Sequence, residues 1–168
     1  MQGGGGGVMR RVLAIAALIF VIDQITKVWI VFGLDLATRG AIDVLPPYLN
    51  LRMAWNPGIN FGLFAGGEAT RIALILIALA IVAWVLVWVR RDPPGRFGQI
   101  AAGALVGGAL GNVVDRVLYG AVADFLNMSC CGFDNPYAFN VADIAIFAGI
   151  AGLVVLPPRR PADEAEGK

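Results

Sequence analysis

Four long apolar runs divide the chain, and polar or proline-bearing segments separate them. The first runs from about Val12 to Phe32 and the second from about Arg71 to Val89. The third runs from about Phe97 to Tyr119 and the fourth from about Asn140 to Leu156. Each is close to the roughly 20 residues an α-helix needs to cross a bilayer. All nine prolines fall outside these runs, as expected for a residue that lacks the backbone donor and clashes with the preceding turn. The pattern predicts an all-α membrane protein: four transmembrane helices in one domain, residues 1–168, with a small β-rich extracytoplasmic cradle. The cradle is expected at 33–70, an outer loop at 120–139 and a cytoplasmic tail at 157–168.

The first connection carries its own pattern. Tyr48-Leu49-Asn50-Leu51-Arg52-Met53 alternates apolar and polar, which suits a half-buried strand; an irregular loop with incidental alternation is the other reading. Asn56-Pro57-Gly58 signals a turn, and Phe61 and Phe64 follow at helical spacing. Tyr48, Trp55 and Phe61 suit the membrane–water interface. The Gly3–Gly7 stretch ahead of the first run reads as low-complexity and disordered. The first run could imitate a signal peptide, but its length, its internal Asp23 and Lys27 and the lack of a small-residue cleavage site favour a retained helix.

Basic residues orient the chain. Arg10, Arg11, Arg90, Arg91, Arg96, Arg159, Arg160 and Lys168 cluster at the two termini and the second connection. Only Arg39, Arg52 and Arg71 lie in or beside the first connection. The positive-inside rule then puts both termini in the cytoplasm and the two long connections outside. Composition agrees with a membrane location: 58% of the 168 residues are hydrophobic, and the mean hydropathy is +0.75. No basic block with interleaved aromatics points to nucleic acid.

The chain contains no histidine. That excludes a Ser-His-Asp triad, a Cys-His pair and an HExxH zinc helix. Cys130 and Cys131 are adjacent, which makes no four-ligand metal site. They read as two loop thiols or one strained local bridge. No metal or other cofactor is expected.

What remains is a set of carboxylates and amides at the outer ends of the runs. A carboxylate at mid-bilayer costs roughly 2.5–3.5 kcal/mol on insertion scales, so such groups are kept for a reason. Asp23 and Lys27 are four apart and share a helix face, either as a structural ion pair or as part of a site. Gly103, Gly107 and Gly111 form a small-residue seam for close helix packing. Beside that seam lie Gly108, Asn112, Asp115, Arg116 and Tyr119. At about 1.5 Å per residue from Phe97, Asn112 lies some 20 Å up the helix and Arg116 nearly 30 Å, close to the outer headgroups. For Asp115 with Arg116 a structural role is the favoured reading. Asp124 follows the third run, and Asp143 sits one turn into the fourth, with Asn140 on the same face and able to cap the helix. If the carboxyls of Asp124 and Asp143 approach, one keeps its proton while the other ionises. Such a pair supplies an acid and a base, which suits a membrane-embedded aspartic protease.

These residues also resemble a family. Asp23-Gln24-Ile25-Thr26-Lys27, Asn56-Pro57-Gly58-Ile59-Asn60-Phe61-Gly62, the Gly107–Arg116 stretch with Gly120 and Val122-Ala123-Asp124-Phe125, and Phe139-Asn140-Val141-Ala142-Asp143 are similar, in order, to the motifs of the lipoprotein signal peptidases, or signal peptidase II. The resemblance implies an aspartic endopeptidase that cuts bacterial prolipoproteins just before a diacylglyceryl-modified cysteine. It implies Asp124 and Asp143 as the catalytic pair. Asn56, Gly58, Gly108, Asn112, Arg116, Asn140 and Ala142 would support the pair or bind substrate, and Asp23, Lys27 and Asp115 would be structural polar groups. It further implies a monomer in the bacterial inner membrane, in contact with membrane lipid and inhibited by globomycin. Asn60 and the Cys130-Cys131 pair depart from the family pattern.

Two other readings compete. A small proton- or ion-coupled carrier would also keep intramembrane acids, though carriers place them near the midplane between repeats. A structural membrane subunit would use the polar groups only for helix packing.

Overall fold

The computed structural model describes residues 4–58 and 67–155. Helix α1 spans Gly4–Lys27 and passes without a break into a π-helical segment, Val28–Gly33. A short helix α2, Leu36–Arg39, leads into strands β1, Ala41–Leu45, and β2, Leu49–Asn56. Helices α3, Glu68–Arg91, and α4, Arg96–Tyr119, follow. Strand β3, Val122–Asn127, and helix α5, Val141–Val155, are the last of the described elements.

Among the described residues, three helices are long and apolar enough to cross a membrane: Gly6–Gly33, Glu68–Arg91 and Arg96–Tyr119. Helix α5 is apolar but shorter over its described length. Helix α4 is the central one, largely covered by its neighbours, whereas α3 presents most of its surface outward. Glycines explain how α4 accepts neighbours on two sides. A Cβ on Gly103 would lie 2.7 Å from the Ile15 side chain, and one on Gly107 would strike the Ala16 backbone, so this face fits α1. A Cβ on Gly108 would lie 2.5 Å from the Ala142 carbonyl oxygen, so the next face fits α5. Helix α5 reciprocates with Gly149, whose Cβ would lie 2.7 Å from the Ala101 carbonyl oxygen. Between α1, α3 and α4 the core is Val12, Ala16, Val82, Val85, Ala102 and Val106.

The three strands form one antiparallel sheet in the order β1-β2-β3. Ile30 and Val31 of the π-helical segment, with Leu36, pack against Leu51, Ala123 and Phe125 of the sheet. The alternating segment is thus a strand, with Leu49–Asn56 as its bounds.

Several expectations need correction. Gly4–Gly7, expected to be disordered, belong to α1; each glycine costs about 1 kcal/mol in a helix, yet they propagate one already nucleated by Val8 onward. The segment 120–139, expected to be a loop, contributes β3, so both long connections build the sheet. Helix α3 begins before Arg71 and runs past Val89, leaving only residues 92–95 for the turn into α4. Of the two readings of Cys130 and Cys131, the structure has two free, exposed loop thiols rather than a local bridge. Phe61, Phe64, Asn60, Leu156 and the 157–168 tail lie outside the described residues.

Candidate active site

Asp124 lies in the middle of β3, where register places it opposite Ala54 of β2. Its carboxylate is almost fully buried, with 2% of the residue exposed. Asn140 Nδ2 donates to Asp124 Oδ1 at 2.7 Å, and Asn56 Nδ2 donates to Asp124 Oδ2 at 3.1 Å. The Asn56 side chain is oriented by its own turn, because its Oδ1 accepts the Gly58 N–H at 3.2 Å. The Asn-Pro-Gly turn therefore aims an amide donor at Asp124.

Asp143 is half-buried, at the third position of α5. Asn140 caps that helix reciprocally: its Oδ1 accepts the Asp143 N–H at 2.9 Å, and its own N–H donates to Asp143 Oδ2 at 3.2 Å. This is the geometry of a capping box, here with Asp at the third position. The other oxygen, Asp143 Oδ1, accepts Asn112 Nδ2 at 2.8 Å. The two amides also meet, with Asn140 Nδ2 at 3.3 Å from Asn112 Oδ1. Asp124, Asn140, Asn112 and Asp143 thus form one connected set drawn from β3, α4 and the start of α5.

Burial pushes the Asp124 carboxyl up from the usual 3.8 to about 7, and the charge of Asp143 adds to the rise. The hydrogen bonds from Asn56 and Asn140 and the charge of Lys27 oppose it only in part. Both burial and the neighbouring carboxyl therefore favour the protonated form of Asp124.

Beneath the pair lies a second polar cluster. Lys27 Nζ is 2.8 Å from Asp23 Oδ2 and 2.8 Å from Asp115 Oδ2, and it donates to Asn112 Oδ1 at 3.2 Å. Asp115 stands with Lys27 rather than as a pair with Arg116. Arg116 instead donates to the Asn112 carbonyl at 3.2 Å and to the Gly58 carbonyl at 3.3 Å. Of the expected site residues, Gly108 and Ala142 meet each other at the α4–α5 crossing. Their place there is explained by packing, since Gly108 lets α5 approach.

Gln24 went unassigned at the sequence level beyond its place in a motif. Its Nε2 lies 3.1 Å from Asp23 Oδ2 and 3.2 Å from Asp115 Oδ1. Asn127 was also missed; it fastens the loop after β3 by donating to the Asn135 and Tyr137 carbonyls at 2.7 and 2.9 Å. Its only sequence signal is a polar residue closing a buried strand. At the C-terminal end of α4, Tyr119 lies 6.0 Å from Phe32 and 5.6 Å from Trp55, between ring centroids, and so joins two helix ends to the sheet.

The family described as signal peptidase (SPase) II matches residues 15–157. The lipoprotein signal peptidase of Rhodopseudomonas palustris strain CGA009 is 41% identical over 153 residues, covering 88% of each chain. That of Methylorubrum extorquens strain PA1 is 43% identical over 145 residues, covering 86% of this chain and 82% of its own. A solved bacterial membrane enzyme superposes with a TM-score of 0.72 at 29% identity, covering 94% of this chain and 91% of the other. With the motifs in order along the chain, the family matched over residues 15–157 and the fold shared over most of the chain, this protein belongs to the signal peptidase II family.

Proposed function

We propose that the chain is an aspartic endopeptidase that removes the signal peptide of bacterial prolipoproteins, cutting immediately before a diacylglyceryl-modified cysteine. Family membership supplies the prolipoprotein signal peptide as substrate. The observation that carries the aspartic mechanism is the Asn112–Asn140 amide pair, which links Asp143 to Asp124 through bonds of 2.8 and 2.7 Å. The working form of the pair holds one proton. The ionised carboxylate takes a proton from water as that water attacks the scissile carbonyl. The protonated carboxyl hydrogen-bonds the developing oxyanion and then protonates the leaving amine.

In this reading the protein has four spans, with α5 as the fourth, and both termini lie in the cytoplasm. The pair faces the outer surface of the inner membrane, where a lipid-modified cysteine holds the scissile bond. An apolar groove of about 810 Å³ supports the fit. It is lined by Ile77 and Trp84 of α3, Leu105 of α4 and Ile150 of α5, and it reaches Asn112 and Arg116. Apolar parts of the substrate would lie there while the peptide bond meets the carboxylates. The enzyme acts as a monomer without a cofactor, and globomycin competes for the groove. Family membership favours this reading over a carrier or a structural subunit.

The test is a cleavage assay on a lipidated precursor in vesicles containing the purified protein. Mass spectrometry should place the cut directly before the modified cysteine, and globomycin should stop it. Equal cutting of the unlipidated precursor, or a cut elsewhere, refutes the proposed specificity.

A further inference from the structure

The two proposed catalytic residues share a feature of the chain beside them. Each is preceded by an alanine, and the backbone N–H of each alanine donates to a buried carboxylate on another element. Ala123 N donates to Asp115 Oδ2 at 3.1 Å. Ala142 N donates to Asp23 Oδ1 at 2.9 Å. Both accepting aspartates are fully buried, and the Lys27 ammonium bridges them at 2.8 Å on either side. Gln24 adds a second bridge between the same two carboxylates.

We propose that Asp23, Lys27 and Asp115 are positioning residues that set the separation of Asp124 and Asp143 by holding the peptide N–H immediately before each.

A plain structural ion pair would match one carboxylate to one ammonium. Here one ammonium holds two carboxylates, and each of these reaches past it to a backbone donor. The donors belong to unlike elements, a strand and the first turn of a helix. Ala142 N–H is among the first four helix amides, which have no partner inside the helix. Asp23 satisfies it from α1 with negative charge, where a helix start favours it. Consecutive Cα atoms are fixed about 3.8 Å apart across a peptide, so holding Ala123 or Ala142 leaves the next Cα little freedom. Lys27 then ties the two holds together, and through Asn112 it also touches the amide that contacts Asp143.

Gly111 belongs to the same device. A Cβ on Gly111 would collide with Asp23 Oδ2. The glycine therefore makes the space in which the Asp23 carboxylate sits. Gly111→Ala would push Asp23 away from Ala142 N–H while leaving every charge in place.

This inference rests on the dyad reading. The wild-type cleavage assay decides that reading first; the variants then test the positioning alone. Asp115→Ala, Asp23→Ala and Gly111→Ala are compared with wild-type enzyme for kcat, KM and thermal unfolding in detergent. Amide hydrogen exchange is followed at the segments holding Ala123 and Ala142. The expected result is a kcat lowered about tenfold to a hundredfold with KM within about threefold, since small misplacements of reacting groups cost this much. Exchange should quicken at Ala123 in Asp115→Ala, and at Ala142 in Asp23→Ala and Gly111→Ala. Should the alanine variants of the aspartates fail to fold, Gly111→Ala carries the test, because it keeps every buried charge and its new Cβ meets the far end of the Asp23 side chain rather than backbone. A folded variant with wild-type kcat overturns the inference. So does exchange that quickens equally along all helices, the mark of a merely structural role.

Discussion

Asp124→Asn should destroy cleavage yet stabilise the protein above neutral pH. The carboxyl of Asp124 stands at about 7 instead of 3.8 because burial and Asp143 disfavour its charge. The folded chain therefore keeps the Asp124 proton up to about pH 7, whereas the unfolded chain releases it near 3.8. Below both values the residue is neutral in either state and contributes no pH dependence. As pH climbs between them, the folded state loses stability relative to the unfolded state. The whole gap, at about 1.36 kcal/mol per pH unit, corresponds to about 4 kcal/mol by pH 8. Asparagine carries no charge and avoids this cost. It has one acceptor where two amide donors, from Asn56 and Asn140, now converge, and leaving a donor unmet costs about 1–3 kcal/mol. The expected net gain at pH 8 is then about 1–3 kcal/mol, or several degrees of melting temperature at about 2–4 °C per kcal/mol. The assay is thermal unfolding of both proteins in one detergent from pH 4 to pH 8. The melting temperature of the wild type should fall relative to that of the variant between pH 4 and 7. Two parallel curves, or a variant less stable at pH 8, would refute the reasoning.

Cleavage by the wild type should decline on the alkaline side with a midpoint near 7, because the pair then loses its single proton; a flat rate from pH 6 to 9 would contradict this. Asn140→Ala removes a hydrogen bond that favours ionised Asp124, so its alkaline midpoint should move upward, and the lost helix cap should cost about 0.5–2 kcal/mol of stability in the same protein. Gly108→Ala would set a Cβ 2.5 Å from the Ala142 carbonyl oxygen, and the forced shift of α5 should cost about 1–3 kcal/mol in unfolding experiments. Glu68→Ala breaks only an exposed pair with Arg71 at 3.4 Å and should change stability by less than about 1 kcal/mol.

The helices were legible because continuous apolar runs need no register to be recognised; α3 and α4 emerged within three residues of their expected bounds, whereas α1 starts at Gly4, well before Val12. Asn140 was legible as a cap because its partner Asp143 stands three residues on, a purely local relation. Strand β3 was not legible. Five of its six residues are buried, so it lacks the alternation that marks a half-buried strand such as β2. The reach of Asn56 to Asp124 depends on strand pairing across 68 residues, and that register is invisible before β3 is known. Asp23 with Lys27 could be read from their spacing as a pair. That Asp115 joins them, and that each of Asp115 and Asp23 holds the alanine N–H just before Asp124 or Asp143, follows only from how α1, α4 and α5 pack at their glycines. The π-helical turn at Val28–Gly33 left no signal in an apolar run that reads as ordinary helix.

The most direct measurement is the rate at which Asp124→Asn and Asp143→Asn proteins, each folded by its melting curve, cut a lipidated precursor in vesicles. Both should fall to background, since neither a lone base nor a lone acid completes the hydrolysis. Wild-type cutting by either one would contradict the account.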